Sequence, residues 1–146
     1  MFQLTPFKHE IKSEDKEFID DSANFVAWLL NKNPKDIIGF RACSDCCPIY
    51  TYFQYLFPEH TFLVNPAHVV IFDDGYQVVN YYPTPDWMEI FIELVDTRNT
   101  TRNVTAYQSY EHMIDAIYFD KNNFFVALWI SFWMHIKKYL FKWKRL

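Results

Sequence analysis

The sequence predicts an α+β fold in a single domain, with about five helices covering a small antiparallel sheet around a hairpin at residues 66–82. Three observations lead to this prediction. Two β-rich runs flank Asp73-Asp74-Gly75, which is the strongest hairpin signal in the chain. Runs with helical spacing of apolar residues lie on both sides of that hairpin. Finally, 146 residues fit one core, and aromatic residues, at 21% of the chain, supply ample bulk to fill it.

The N-terminal part of the chain is predicted to form one helix and a short strand. Ser13 is a good N-cap residue, and apolar side chains recur after it with roughly helical spacing. Pro34 ends this helix, because a proline disfavours helical geometry in the residue before it. The short apolar run at residues 37–40 is predicted to be a buried strand.

A second helix and the strands of the sheet are predicted to follow. Pro48 fits the first turn of a helix, where its missing N–H costs nothing, and Pro58 stops that helix. Residues 62–64 form a β-rich run of their own. The two hairpin strands are predicted at residues 68–72 and 76–82.

Three further helices complete the predicted architecture. Thr84 is expected to cap the first of them, which starts with a proline and an acid. Ser109 is expected to cap the second, which ends near Phe119, and a polar loop at residues 97–105 joins the two. The third is a C-terminal helix at residues 124–146 that is rich in aromatic residues and ends in bases.

The charges are unevenly distributed along the chain, whose formal net charge is −4. Five of its fourteen Lys and Arg residues follow His135 with no acid among them, so the preceding part is strongly acidic. Binding to a nucleic-acid backbone requires a broad basic face, so no nucleic-acid partner is expected. An acidic body instead predicts a basic protein partner. Only two glycines occur, which excludes glycine-rich phosphate and dinucleotide loops, and no cofactor is predicted.

The three cysteines, Cys43, Cys46 and Cys47, are crowded together and odd in number. This pattern argues against a disulfide framework and predicts a reducing compartment. The N-terminal residues lack a charged start followed by an apolar run, so no signal peptide is predicted. The expected location is the cytoplasm.

One stretch, residues 45–80, contains the candidate catalytic residues. Cys46 or Cys47 lies at the start of a predicted helix, whose dipole and free N–H groups favour a thiolate. A nucleophilic thiol also needs a base, and a group that orients the base. His68 opens one hairpin strand and Asn80 lies on the other. A three-residue turn places His68 opposite Asn80, whereas a two-residue turn places it opposite Tyr81.

This stretch resembles the papain-like cysteine hydrolases, especially the NlpC-type bacterial cell-wall peptidases. In that family an Asp-Cys pair opens a helix, an apolar strand follows, and a hairpin supplies the catalytic His and a polar third residue. Asp45-Cys46, residues 62–64, His68 and Asn80 fall in that order here. The resemblance implies that Cys46 is the nucleophile, His68 the base and Asn80 the residue that orients it. The alternative is a buried cysteine pair and a hydrogen-bonded hairpin histidine.

A metal site is a second candidate. Cys43, Cys46, His60 and His68 give the pattern C-x2-C-x13-H-x7-H. The cysteine pair suits zinc, which binds thiolates in tetrahedral sites, but the histidine spacing does not match a zinc finger.

The C-terminal helix is a third feature with functional potential. Residues 124–136 are almost all apolar, but thirteen residues are too few to span a bilayer. Three interpretations stay open: a helix packed in the core, a helix lying on a membrane surface, and a homodimer interface. The side chains that would contact a membrane or a partner are Trp129, Trp133, Lys137, Lys138, Trp143 and Lys144.

Three functional hypotheses follow from these features. The first is an acidic, non-catalytic interaction protein that binds another macromolecule and inhibits or regulates it, as immunity proteins do. The second is a cysteine hydrolase or amidase that uses Cys46, His68 and Asn80. The third is a peripheral membrane protein anchored through the C-terminal helix.

Overall fold

The computed structural model describes residues 13–74, 76–119, 132–133 and 135–136. These residues confirm the predicted α+β fold. The helices are α1 (Ser13–Asp20), α2 (Ser22–Leu30), α3 (Pro48–Leu56), α4 (Asp86–Arg98) and α5 (Ala106–Phe119). The strands are β1 (Ile37–Phe40), β2 (Thr61–Val64), β3 (His68–Phe72), β4 (Val78–Pro83) and β5 (Asn103–Thr105).

The N-terminal segment forms two helices, so the prediction of one continuous helix is wrong. Asp21 interrupts it with extended backbone, φ −80° and ψ 109°. Its carboxylate accepts a hydrogen bond from the Ala23 N–H at 3.0 Å and thereby caps α2. An aspartate can satisfy the free N–H groups of a new helix, and this local bond competes with the helix that would otherwise continue through it.

The strands form two antiparallel sheets. β2, β3 and β4 make a three-stranded sheet in that order, and β1 pairs with β5 in a two-stranded sheet. β5 lies within the segment that the sequence predicted to be a polar loop. It has three residues and one buried side chain, Val104, so it is too short for an alternating pattern to reveal it.

Two helix starts differ from those predicted. α5 begins three residues before Ser109, because Thr105 and Gln108 form a reciprocal capping box. The Gln108 N–H donates to Thr105 Oγ1 at 3.2 Å, and the Thr105 N–H donates to Gln108 Oε1 at 2.9 Å. Thr84 does not cap α4. Its hydroxyl donates to the Asn65 carbonyl at 2.8 Å, which ties the end of β4 to the end of β2.

An aromatic cluster joins the helices in the core. The Phe25 ring of α2 is fully buried and lies at the centre of this cluster. Its centroid is 5.2–5.9 Å from the ring centroids of Trp28, Tyr52, Trp87 and Phe91, which belong to α2, α3 and α4. On the other side of α3, Phe53 packs against Phe62 of β2 at 5.3 Å. The helices are thus packed onto one side of the three-stranded sheet.

Most of the predicted C-terminal helix, residues 124–146, lies outside the described residues. Residues 132–133 and 135–136 are helical, and the side chains of Phe132 and Trp133 are 61% and 38% exposed. Of the helices that the structure describes, none combines the length and the apolar character needed to cross a membrane.

Candidate functional site

The three cysteines lie in the turn at residues 41–47, which joins β1 to α3 and is called the cysteine turn below. Hydrogen bonds to three other elements hold its backbone. They run from Phe40 N–H to Cys46 O at 2.8 Å, from Val64 N–H to Ser44 O at 2.9 Å, and from Ala42 N–H to Asp96 Oδ1 at 2.7 Å. The turn is therefore fixed by β1, β2 and α4 together, and the Arg41 guanidinium adds a hydrogen bond to the Asn99 carbonyl at 2.7 Å.

A disulfide bond joins Cys43 to Cys46, with their Cα atoms 5.2 Å apart. The argument from the sequence against a disulfide framework is therefore wrong for this pair. The odd number of cysteines was misleading, because Cys47 is left over as a free thiol. The C-x2-C spacing was the available signal: two intervening residues can form a tight turn that brings the sulfur atoms together.

Cys47 has a structural role. It is 5% exposed, and its sulfur accepts a hydrogen bond from the Tyr50 N–H at 3.4 Å, which makes it the N-cap of α3. Burial raises the pKa of the Cys47 thiol to about 11. The thiolate is the nucleophilic form, so at neutral pH Cys47 is a poor nucleophile. Pro48 starts the helix, as predicted.

The hairpin register differs from both of the predicted ones. Ile71 lies opposite Asn80, and His68 lies opposite Pro83. The connection is longer than two or three residues because Asp73 organises it: the Asp73 N–H donates to the Gln77 carbonyl, and the Gln77 N–H donates to Asp73 Oδ1, both at 2.9 Å.

This register does not bring the predicted triad together. Asn80 is paired with the buried Ile71 and shares its face of the sheet. His68 lies three residues before Ile71 on the same strand, so its side chain is on the opposite face. The His68 ring stacks on the Tyr81 ring with centroids 4.8 Å apart. Asn80 Oδ1 accepts the Tyr81 N–H at 2.8 Å, and the Cys46 sulfur is bonded to Cys43. Each side chain thus has a local partner outside the triad.

The predicted metal ligands are likewise not assembled as a set. Cys43 and Cys46 lie with Asp45 in a group whose potential ligand atoms are within 4.8 Å of one another, and neither predicted histidine belongs to it. His60 packs edge-on against Phe57, with ring centroids 6.2 Å apart. A disulfide sulfur has no thiolate to offer, so the oxidised pair is not a zinc site.

No known protein family, curated protein sequence or solved structure matches this chain. The resemblance of residues 45–80 to NlpC-type hydrolases therefore stays a prediction.

The three-stranded sheet has a buried face and an open face. Val69 and Ile71 of β3 point into the core, and the alternate residues point outward. Leu63, Val70 and Tyr81 are directly opposite one another on β2, β3 and β4, so they form an apolar row across the open face. Leu63 is 39% exposed and Tyr81 56% exposed. Further apolar side chains, Tyr76, Val78 and Val79, are exposed near the start of β4.

The charge of the surrounding segment is entirely negative. Between Arg41 and Arg98 the chain has no Lys or Arg, and it carries eight acids: Asp45, Glu59, Asp73, Asp74, Asp86, Glu89, Glu93 and Asp96. This segment contains the whole three-stranded sheet, the helix α3 and all of α4 except its last residue, Arg98. A count of Lys and Arg along the sequence could have revealed this acidic segment. The apolar row on the open face could be identified only once the pairing of β2, β3 and β4 was known.

Of the predicted C-terminal contact residues, Trp133 alone is described, and its ring lies 6.3 Å from that of Phe132. Trp129, Lys137, Lys138, Trp143 and Lys144 lie outside the described residues. The membrane-surface and homodimer interpretations of that helix stay predictions.

Proposed function

We propose that this protein is a non-catalytic binding protein that docks a basic protein partner on the open face of its three-stranded sheet and so inhibits or regulates that partner. One observation carries the proposal. An exposed apolar row, Leu63–Val70–Tyr81, crosses a sheet whose entire sequence neighbourhood has acidic residues and no Lys or Arg.

The apolar row supplies side chains suited to a binding interface. Tyr81 is large, has few rotatable bonds and is held by its stack with His68, so little side-chain entropy remains to be lost on binding. Exposed tyrosines of this kind are common energetic anchors of protein interfaces. Leu63 and Val70 add adjoining apolar surface that a partner would remove from water.

The acids are placed to select the charge of the partner. Glu59 precedes β2, and Asp73 and Asp74 follow β3, so all three lie at the same end of the sheet. Asp45 lies at the other end, next to Ser44, whose carbonyl accepts the Val64 N–H. Acids at both ends of an apolar surface attract a basic partner and repel an acidic one.

The β4 edge of the sheet is blocked, and at the other edge the Val64 N–H of β2 is already bonded to the Ser44 carbonyl, which favours docking on the face. β4 is an edge strand, and an edge strand can add a partner strand through its free N–H and carbonyl groups. Here Asn80 Oδ1 already accepts the Tyr81 N–H, and Pro83 has no N–H to donate. Strand addition along β4 would break the Asn80–Tyr81 hydrogen bond and would find no donor at Pro83.

The proposal can be tested by site-specific photo-crosslinking in cells of the source organism. A photoreactive residue at position 81 is expected to crosslink one protein with a basic surface. The same residue at position 37 is the matched control, because Ile37 is 55% exposed but belongs to the other sheet. Equal crosslinking from the two positions would contradict the proposal.

Binding of the captured partner is then measured with purified proteins. Tyr81→Ala is expected to weaken binding by about tenfold or more, as loss of an anchor does, whereas Ile37→Ala is expected to leave it unchanged. The association rate constant is expected to fall as salt is added, because salt screens the attraction. A rate constant indifferent to ionic strength, or a partner whose activity is unaffected at saturation, would overturn the proposed role.

A further inference from the structure

The Cys43–Cys46 disulfide is not explained by a need for stability. Only Ser44 and Asp45 lie between the bonded residues, so the bond closes a very short ring. In the chain-entropy account, a short ring restricts the unfolded chain less than a bond between distant segments does. The backbone hydrogen bonds to β1, β2 and α4 already hold the cysteine turn in place.

The disulfide is also accessible. Cys43 and Cys46 are partly exposed, and Ser44 and Asp45 between them are exposed. An incoming thiol can therefore reach the bond from solvent, which thiol–disulfide exchange requires. Cys47, by contrast, is buried, so it is not a third partner in such an exchange.

We propose that Cys43–Cys46 is a reversible thiol–disulfide exchange site whose reaction partner is a dithiol that is neutral or positively charged. A thiolate of the dithiol attacks one of the two sulfurs, and the other leaves as a thiolate and takes up a proton. The second thiolate of the partner then attacks its own bonded sulfur and releases the second cysteine. Two electrons and two protons pass to the protein, which gains two thiols, and the partner leaves as a disulfide.

The fixed turn makes this exchange reversible. When the bond is reduced, the hydrogen bonds from Phe40, Val64 and Ala42 still hold the turn, so the two thiols stay close together. Groups held side by side react as if at high concentration, which favours closing the bond again when an oxidised dithiol is present.

The charge preference follows from the acids around the bond. Asp45 Oδ1 is 3.2 Å from Cys43 Sγ, and the Asp96 carboxylate is fixed at the start of the same turn by the Ala42 N–H. Both lie between Arg41 and Arg98, where the chain has no other Lys or Arg, and the Arg41 guanidinium at the start of the turn is held against the Asn99 carbonyl, 2.7 Å away. An attacking reagent with an additional negative charge is repelled as it approaches, whereas one with a positive charge is attracted.

The exchange is tested by equilibrating the full-length chain in buffers with different ratios of reduced to oxidised dithiothreitol and counting thiols after acid quenching and denaturation. The count is expected to rise from one thiol, that of Cys47, to three in a single reversible transition. Cys47→Ser is the matched control and is expected to keep that transition, whereas Cys43→Ser is expected to abolish it. Three thiols in every buffer would overturn the proposal. So would a reduced chain that holds one equivalent of zinc and resists oxidation.

The charge preference is tested by the initial rates of reduction by cysteamine and by 3-mercaptopropionate, each expressed per thiolate and relative to the rate of the same thiol with uncharged 2-hydroxyethyl disulfide, which removes the difference in intrinsic nucleophilicity. Cysteamine is expected to react about tenfold faster at low salt, which is the lower end of the range for electrostatic steering. The difference is expected to shrink at high salt and in Asp45→Asn. Equal rates at low salt would show that the acids do not select the partner. The proposal is independent of the open face, so Tyr81→Ala is expected to leave both rates unchanged.

Discussion

Two adjacent residues, Cys46 and Cys47, have different chemistry because their environments differ. Cys46 is partly exposed and bonded to Cys43, whereas Cys47 is buried beneath it at the start of α3. Of the two candidates for a thiol at the helix start, Cys47 therefore takes that place, and Cys46, the predicted nucleophile, does not. At Cys47 the cost of burying a charge outweighs the favourable N–H groups, and its pKa rises instead of falling.

The role of Cys47 as an N-cap can be tested by substitution. Cys47→Ser is expected to keep the cap, because a hydroxyl oxygen accepts the Tyr50 N–H better than sulfur does. Cys47→Ala removes the acceptor and is expected to unfold more easily than Cys47→Ser by about 1 kcal/mol. Urea unfolding of the two variants measures the difference. Coincident unfolding curves would show that the Tyr50 N–H does not need this acceptor.

At the scale of the elements, the approach of β1 to α3 depends on one glycine. A Cβ atom on Gly39 would lie 2.6 Å from the Pro48 nitrogen and 2.7 Å from the Cys47 carbonyl carbon. Both atoms belong to the backbone, so they can give way only if the strand and the helix move apart. A side chain at this position would thus disturb the contact on which the cysteine turn is built.

Gly39→Ala is therefore expected to destabilise the fold by about 1–3 kcal/mol, the usual cost of overpacking a core. The unfolding midpoint in urea gives the measurement. Ile37→Ala on the same strand is the matched control and is expected to change the midpoint little, because the Ile37 side chain is largely exposed. Unchanged stability in Gly39→Ala would mean that the two elements separate at no cost.

The sequence predicted elements well where a proline or a continuous β-rich run sets their limits. Pro48 starts α3, and the limits of β3 are those predicted, because proline chemistry and a continuous β-rich run act locally. The predictions failed where one side chain decides the outcome. The Asp21 carboxylate splits a helix, and the Asp73 carboxylate lengthens a turn. Both residues have the types expected there, but sequence spacing does not show which backbone N–H each will bind.

At the scale of the whole molecule, sequence spacing also could not show whether the residues of the candidate catalytic site come together. The residue types of a Cys-His-Asn triad occur in a suitable order, but the hairpin register places His68 and Asn80 on opposite faces. A register is a long-range property, set by a turn and a bulge together, and a shift of one residue moves a side chain to the other face. The acidic character of the body, by contrast, depends only on composition and is readable without the fold.

A buried histidine couples the stability of the whole fold to pH. His112 of α5 is 9% exposed, and its Nε2 lies 3.2 Å from Oδ1 of Asn99, which follows α4. The Asn99 amide donates to the carbonyls of Thr101 and Asn103, so its oxygen is free to accept the histidine N–H. Burial lowers the pKa of His112 below its ordinary value of 6.5, and the neighbouring Glu111 and Asp115 only partly offset this effect.

The sign of the coupling follows from proton counting. Between the lowered pKa of the folded state and 6.5, the unfolded chain binds more protons at His112 than the folded chain does. The free energy of unfolding is therefore expected to fall as pH drops below 6.5. Asp20 acts in the opposite direction, because burial raises the pKa of its carboxyl and protonation at low pH then favours the folded state. Urea titrations of the wild type across this range report the sum of all such groups.

His112→Gln isolates the histidine, because glutamine can keep an N–H donor for Asn99 but does not titrate. Relative to the wild type, this variant is expected to lose less stability between neutral pH and about pH 5, where an unperturbed histidine is charged. Asp20→Asn is the matched control. It removes a carboxyl whose protonation favours the folded state, so this variant is expected to lose more stability than the wild type as the pH falls. Parallel pH profiles for the wild type and His112→Gln would mean that His112 carries its proton equally well in both states, and that burial at the contact between α4 and α5 does not disfavour its charge.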